Sequence, residues 1–262
     1  MVLAEQTTLL PQKKLITSPV TALPFDAQIK QILGWASGPK SKIVCVANVH
    51  MLMEAYWYPQ KFGAVLANAD LVTPDGMPLV WMLRQLGIHN QNRVAGPDIL
   101  LALAQQAPSR HISIFFVGST PRVLDNMRAR LNREFPRLQI AGMEPLPFRP
   151  LTATEDRELI QKVNDSGAGL VLVSLGCPKQ EYWMAQHKDK IQAVMIGLGG
   201  AFLVYAGIHR RAPRFAQRIG LEWLYRLVQE PSRLSNRYYS TIPPFIYLSL
   251  KQLFLESLLR KI

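Results

Sequence analysis

The stretch from Gly169 to Gly207 constrains this chain most. It reads GLVLVSLGCPKQEYWMAQHKDKIQAVMIGLGGAFLVYAG: a buried strand, a sharp turn, an amphipathic helix, then a second buried strand ending in glycines. Two apolar strands joined through a helix form a βαβ unit, which belongs to a largely parallel sheet with helices on its faces. A polar cluster, Lys179–Gln180–Glu181, stands where the helix begins. Ligands of open parallel sheets bind at strand C-termini, and helix N-termini attract phosphate. The pattern therefore points to an anionic, nucleotide-bearing small molecule.

The rest of the chain alternates in the same way. Phe25–Ala36 reads as a helix, Lys42–Ala47 as a buried strand, and Val49–Ala67 as one helix. Leu71–Thr73 is a short strand closed by Pro74–Asp75–Gly76, followed by helices over Pro78–Leu86 and from Gly96–Pro97–Asp98 to Gln106. His111–Val117 reads as a strand ending at Gly118, Arg122–Phe135 as a helix, Leu138–Ala141 as a strand and Thr154–Ser166 as a helix. The expected fold is α/β: a Rossmann-like, mostly parallel sheet with flanking helices. The expected division is a loosely packed N-terminal arm over residues 1–24, a catalytic core over 25–207, and a basic helical appendage over 208–262.

The appendage changes character. The whole chain of 262 residues carries a net charge of +12. From Gly207 to Ile262 there are ten basic and three acidic residues, a net of +7. Such concentration implies a polyanionic partner: a diphosphate, anionic lipid or nucleic acid. Gly220–Gln229 reads as a helix broken at Glu230–Pro231, and Pro243–Pro244 introduces a last helix to about Arg260. On that helix Ser249, Gln252, Glu256 and Arg260 share one narrow face, and apolar residues cover most of the rest. So wide an apolar arc belongs inside protein or in a bilayer interface. No run reaches the ~18 apolar residues of a membrane span. Residues 1–20 do not read as a secretory signal. Two cysteines, Cys45 and Cys177, both in or beside apolar runs, fit a reducing cytosol rather than a disulfide scaffold.

Each candidate site residue has two readings. Gly118 and Gly176, each between a strand and a helix, either admit a phosphate to the backbone or are ordinary turns, and Gly199 closes the second βαβ strand. Asp75 is either a tight-turn residue or a general base at the sheet's C-terminal edge. Asn48 and Gln180 at that edge either orient sugar hydroxyls or cap helices. Arg226, Arg233, Arg237 and their neighbours clamp a pyrophosphate, face anionic headgroups, or form a solvated basic face. The five histidines have no metal-ligand spacing and read as structural or surface residues.

On these residues the chain resembles the WecG/TagA/CpsF glycosyltransferases, also called glycosyltransferase family 26. The resemblance runs from about Ile43 to Arg237. It is densest at Ala47–Asn48, Asp75–Gly76, RVAGPD from Arg93 to Asp98, GCPKQE from Gly176 to Glu181, GGAF at Gly199–Phe202, and RAPRFAQRIGLEWLYRLVQEPSR from Arg211 to Arg233. It implies inverting transfer of an N-acetylmannosamine-type sugar or uronic acid, without a bound metal or cofactor. The donor would be a UDP-sugar and the acceptor a polyprenyl-diphosphate-linked saccharide. It places the base on Asp75, with Asn48 and Gln180 beside it. Substrate-binding positions fall on Arg93, Gly96, Asp98, Gly118, Gly176, Lys179, Gly199, Arg226, Arg233 and Arg237. It implies an appendage that meets the membrane, hence a cytoplasmic protein at the inner face of the plasma membrane, with homo-oligomers possible. The sequence departs from the family pattern at Val46, where many members have threonine, at Leu203, where many have aspartate, and at PLPFRP after Gly142. The competing readings are a soluble nucleotide-sugar epimerase, an idle scaffold of a polysaccharide assembly complex, and a nucleic-acid-binding module. The last lacks any recognised motif.

Overall fold

The computed structural model describes residues 10–147 and 149–259. An antiparallel hairpin, β1 (Gln12–Leu15) and β2 (Ser18–Thr21), comes first, followed by α1 (Phe25–Ala36) and β3 (Lys42–Ala47). Next come α2 (Val49–Trp57), a π-helical turn over Pro59–Gly63, and α3 (Ala64–Ala67). β4 (Leu71–Pro74), α4 (Met77–Gln85), α5 (Gly96–Gln106), β5 (Ile114–Gly118), α6 (Pro121–Glu134) and β6 (Ile140–Glu144) continue the alternation. The βαβ unit appears as expected: α7 (Ala153–Asp165) leads into β7 (Leu170–Ser174), α8 (Lys179–His187) and β8 (Val194–Gly197). The short helices α9 (Ala201–Tyr205), α10 (Arg214–Arg218) and α11 (Glu222–Gln229) lead to the long α12 (Pro231–Leu259).

Six strands form one parallel sheet in the order β4-β3-β8-β7-β5-β6. Side chains alternate across it, as the two-residue period of a strand requires. Cys45, Ala47, Val171 and Val173 enter the core under α2, α4 and α8; Val44, Val46, Leu170 and Leu172 enter the core under α1, α5 and α6. Both faces are thus covered, which is why the strands read as continuous apolar runs.

Four differences from the sequence expectations have local causes. Residues 12–21 are not a loose arm: Leu15 and Val20 are fully buried, and Thr21 Oγ1 accepts a hydrogen bond from Val72 N at 3.1 Å. The helix from Val49 stops at Trp57 because Pro59 has no N–H to donate. β5 begins at Ile114, not His111, which is left-handed (φ 55°) after a 3₁₀ turn. β6 runs Ile140–Glu144 rather than Leu138–Ala141, its end pairing Val117 with Glu144.

The last helix differs most. It starts at Pro231 and runs through Pro243 and Pro244. Two lost backbone donors are tolerated because one side is anchored: Leu234, Thr241, Phe245 and Ser249 are buried at helical spacing, and the helix packs on α2, α4 and α11. Its polar strip faces the protein. Ser249 Oγ lies 3.0 Å from Met82 Sδ, Gln252 Oε1 accepts from Ile16 N (2.7 Å), Gln252 Nε2 donates to Lys14 O (2.8 Å), and Glu256 pairs with Lys13 (3.3 Å). Tyr247, Leu250, Phe254, Leu255 and Leu258 are left exposed. The helix expected at a membrane surface rather than in the core is therefore docked on the protein, by its polar strip together with Leu234 and Phe245. Arg260, expected on the polar strip, lies outside the described residues. No helix among the described residues is long and apolar enough to cross a membrane.

Candidate active site

Three adjacent strands, β4, β3 and β8, deliver the central residues at their C-terminal ends. Asp75 follows β4, Asn48 follows β3, and Gly199 follows β8. The Asp75 N–H donates to Ala47 O at 2.8 Å, which fixes the end of β4 against the residue before Asn48. Val94 N donates to Pro74 O at 2.9 Å and brings Arg93 to the same edge. A cavity of about 470 Å³ opens there, between the sheet edge and the appendage helices α11 and α12. Its size suits a small-molecule ligand. Asn48, His50, Asp75, Arg93, Glu222, Arg226 and Arg237 supply polar lining; Trp81, Met82, Phe245, Ile246 and Leu250 form an apolar wall.

Charge in the cavity is arranged around Asp75. Its carboxyl is pushed up to about 7, first by burial and then by Glu222, against the opposing pull of Arg93 and Arg226. A carboxylate so placed is protonated and deprotonated near neutrality, the range that suits a general base. Arg93 donates to Glu222 and, at 2.9 Å, to Gln217 Oε1. Asp98, on the first turn of α5, accepts two bonds from Arg211 Nη2, both 2.7 Å. Arg93 and Asp98 thus fasten the appendage to the core in this structure. Arg226 reaches across to the turn after β8: a Cβ on Gly200 would stand 2.7 Å from its Nη2. Arg237 is half-buried on the cavity wall, whereas Arg233 is exposed, pairs with Glu230, and is not among the lining residues.

Asn48 is a helix cap that also faces the cavity. Its Oδ1 caps α2 by accepting from Met51 N at 3.2 Å, and the residue lines the cavity. Gln180 is buried beneath the glycines that end β8, off the cavity lining. Its Nε2 donates to Glu181 Oε1 at 2.7 Å, while its own Oε1 has no hydrogen-bond partner. A Cβ on Gly197 would meet Gln180 Nε2 at 2.8 Å, so the glycine is what admits the amide. Glu181 is itself pushed up to about 7 by burial.

The remaining glycines spread along the edge. Gly176 and Lys179 are exposed at the end of β7, three strands from β4, roughly 14 Å at ordinary strand spacing. Gly118 (φ 92°) lies one strand further, where a Cβ would stand 2.5 Å from Ser174 O. That clash requires glycine for close backbone packing. Gly96 opens α5 against α9, 3.5 Å from Ala201 Cβ by the same measure. The structure thus brings Asn48, Asp75, Arg93, Arg226 and Arg237 onto one cavity, but not Gly96, Asp98, Gly118, Gly176, Lys179, Gln180, Gly199 or Arg233. Sequence reasoning missed His50, Glu222 and Trp81. Glu222 lay within the densest C-terminal piece of the resemblance; His50 carried no signal beyond its position two residues after Asn48. Among the described residues, no group of three or more His, Cys, Asp or Glu side chains converges as a metal site.

A family model described as the glycosyl transferase WecG/TagA/CpsF family matches residues 13–258. The chain is 32% identical over 242 residues to the N-acetylglucosaminyldiphosphoundecaprenol N-acetyl-beta-D-mannosaminyltransferase of Bacillus spizizenii, covering 90% of this chain and 91% of that protein. The chain belongs to the WecG/TagA/CpsF glycosyltransferase family.

Proposed function

We propose that this glycosyltransferase moves a sugar of the N-acetylmannosamine or uronic acid type from a UDP-sugar to a polyprenyl-diphosphate-linked saccharide, with inversion and without a metal, in cell-envelope polysaccharide synthesis. One observation carries the reading: Asp75, titrating near 7, lines a cavity that also holds Arg226 and Arg237 and an apolar wall. The relative from Bacillus spizizenii, whose printed name gives a diphosphoundecaprenol-linked acceptor, supports the acceptor class.

Inversion is a single in-line displacement. Asp75 takes the proton of the attacking hydroxyl, the new glycosidic bond forms, and the bond to UDP breaks. The departing diphosphate gains negative charge. Arg226 and Arg237 meet it as fixed cations, with Arg226 able to bond two oxygens at once. A preorganised donor of that kind lowers a barrier by about 3–4 kcal/mol. The two arginines enter from the appendage, so the charge-stabilising half of the site is assembled only when core and appendage are closed on each other.

The outer face of the appendage supports membrane attachment. Phe215, Leu224 and Val228 are exposed, as is the apolar arc of α12, and Arg214, Arg218 and Lys251 are exposed as well. Apolar burial in the interface combines with attraction to anionic headgroups, about 1 kcal/mol per basic residue near the surface. The enzyme would then rest on the cytoplasmic leaflet, where a lipid-borne acceptor is found. The deciding experiment is incubation with a panel of UDP-sugars and polyprenyl-diphosphate-linked GlcNAc, followed by mass measurement of the lipid. An increment of one sugar residue supports the reading; an unchanged lipid with every donor overturns it.

A further inference from the structure

We infer that His50 is a further substrate-contacting residue of this cavity, its Nε2 accepting a hydrogen bond from a sugar hydroxyl while Glu54 holds the ring. The inference rests on the glycosyl-transfer reading and adds to it a residue that fixes how the sugar sits. His50 occupies the first turn of α2, two residues after Asn48, and lines the same cavity as Asp75. Only 13% of its side chain is exposed. Nδ1 is buried without a hydrogen-bond partner, and Glu54 Oε1, one helical turn on, lies 3.9 Å away. A small ring rotation brings Nδ1–H onto that carboxylate. That tautomer would leave Nε2, with its lone pair, as the ring's acceptor toward a ligand in the cavity that His50 lines.

The surroundings keep the ring neutral. Burial, and then Arg237 from α12, push His50 down to about 4. Glu54 is raised by burial and lowered by the same arginine. With a pKa near 4, His50 is a far weaker base than Asp75 near 7, so the two groups divide the work. Asp75 takes the proton, and His50 accepts a hydrogen bond without becoming charged. A neutral acceptor here reads the position of one hydroxyl, and a sugar lacking it leaves a buried lone pair unpaired, the arrangement that gives strong discrimination.

The test uses the full chain with histidine ¹⁵N labels, titrated with UDP, then with a UDP-N-acetylhexosamine, then with GlcNAc-diphosphate on a short prenyl chain. The His50 Nε2 resonance is expected to move with one sugar-bearing ligand and not with UDP alone; which ligand moves it tells donor from acceptor. In parallel, His50→Ala should lower kcat/KM for that ligand at least tenfold with unchanged UDP affinity and melting temperature. His50→Gln, which sets an amide near the Nε2 position, should recover to within about threefold of wild type. If UDP binds but no sugar ligand moves His50, or if His50→Ala keeps wild-type kinetics, the inference is overturned and the transfer reading stands. If His50→Ala melts early and His50→Gln recovers neither stability nor rate, the residue is structural and the inference is likewise overturned. If the wild-type chain binds no UDP and transfers nothing, the transfer reading itself fails and takes this inference with it.

Discussion

Arg93 of the core and Glu222 of α11 are ion-paired across the boundary between core and appendage, and both act on the charge of Asp75, in opposite directions. The docked appendage therefore sets the charge balance at the Asp75 carboxyl as well as the shape of the cavity.

The rate should rise with pH through an apparent pKa near 7, as Asp75 loses its proton. Glu222→Gln removes a raising charge and releases Arg93 to act as a lowering one. Both changes move the limb the same way, toward lower pH. A pH–rate profile of kcat/KM for both proteins checks this; an unmoved limb would show that Asp75 does not titrate in it.

Asp75→Asn should cut turnover by roughly 10²–10⁴-fold, the usual weight of general base catalysis, with UDP binding retained. The same substitution should raise stability at alkaline pH. Asp75 has a folded pKa above the ordinary value of 3.8, so the native state holds its proton longer than the unfolded chain and wild-type stability falls between about pH 4 and 7. Thermal melts should show a larger advantage for the variant at pH 8 than at pH 5.

Arg226→Lys and Arg237→Lys should each slow transfer by about tenfold or more, since the amine keeps the charge and loses the fork. Arg233→Lys should cost less, because Arg233 is exposed and tied to Glu230 away from the cavity lining. Steady-state kinetics on the three variants gives the ranking.

Activity should survive EDTA on the proposal that Arg226 and Arg237 supply the cations for the leaving diphosphate. Loss with EDTA that magnesium or manganese restores would assign that charge to a metal instead.

The two sides of α12 should separate in mutagenesis. Phe245→Ala, on the buried side, should destabilise the fold by about 3–5 kcal/mol. Phe254→Ser with Leu258→Ser, on the exposed side, should change stability by roughly 0.5 kcal/mol or less each, yet weaken pelleting with anionic vesicles. Denaturant melts and vesicle sedimentation read the two effects independently.

What the sequence made legible follows its periodicity. α1 and β3 appear with the boundaries expected, because Ile29, Ile32, Leu33 and Ala36 repeat at helical spacing and KIVCVA is an unbroken apolar run. Asp75 and Asn48 could be placed at one edge because both directly follow parallel strands. The hairpin was illegible: its turn holds Ile16 at φ 59°, a conformation no β-branched residue announces. The docking of α12 was illegible for another reason. Its polar strip turns inward beside Phe245 while much of its apolar arc stays exposed, against the rule that patterning relies on, and the contacts of Gln252 and Glu256 with the hairpin reveal it. His50 was passed over because a single histidine has no spacing to read.

Ile16 and Gln252, hydrogen-bonded to each other, are separated by 236 positions in the chain. At ribosomal speeds of roughly 5–20 residues per second, the hairpin waits on the order of 10–50 s for the helix that covers its edge. Until then Arg226 and Arg237 have not been made, so a nascent chain carries Asp75 at the sheet edge without the cavity that encloses it. Synthesis of α12 therefore completes the packing of the hairpin and the wall of the cavity in one step.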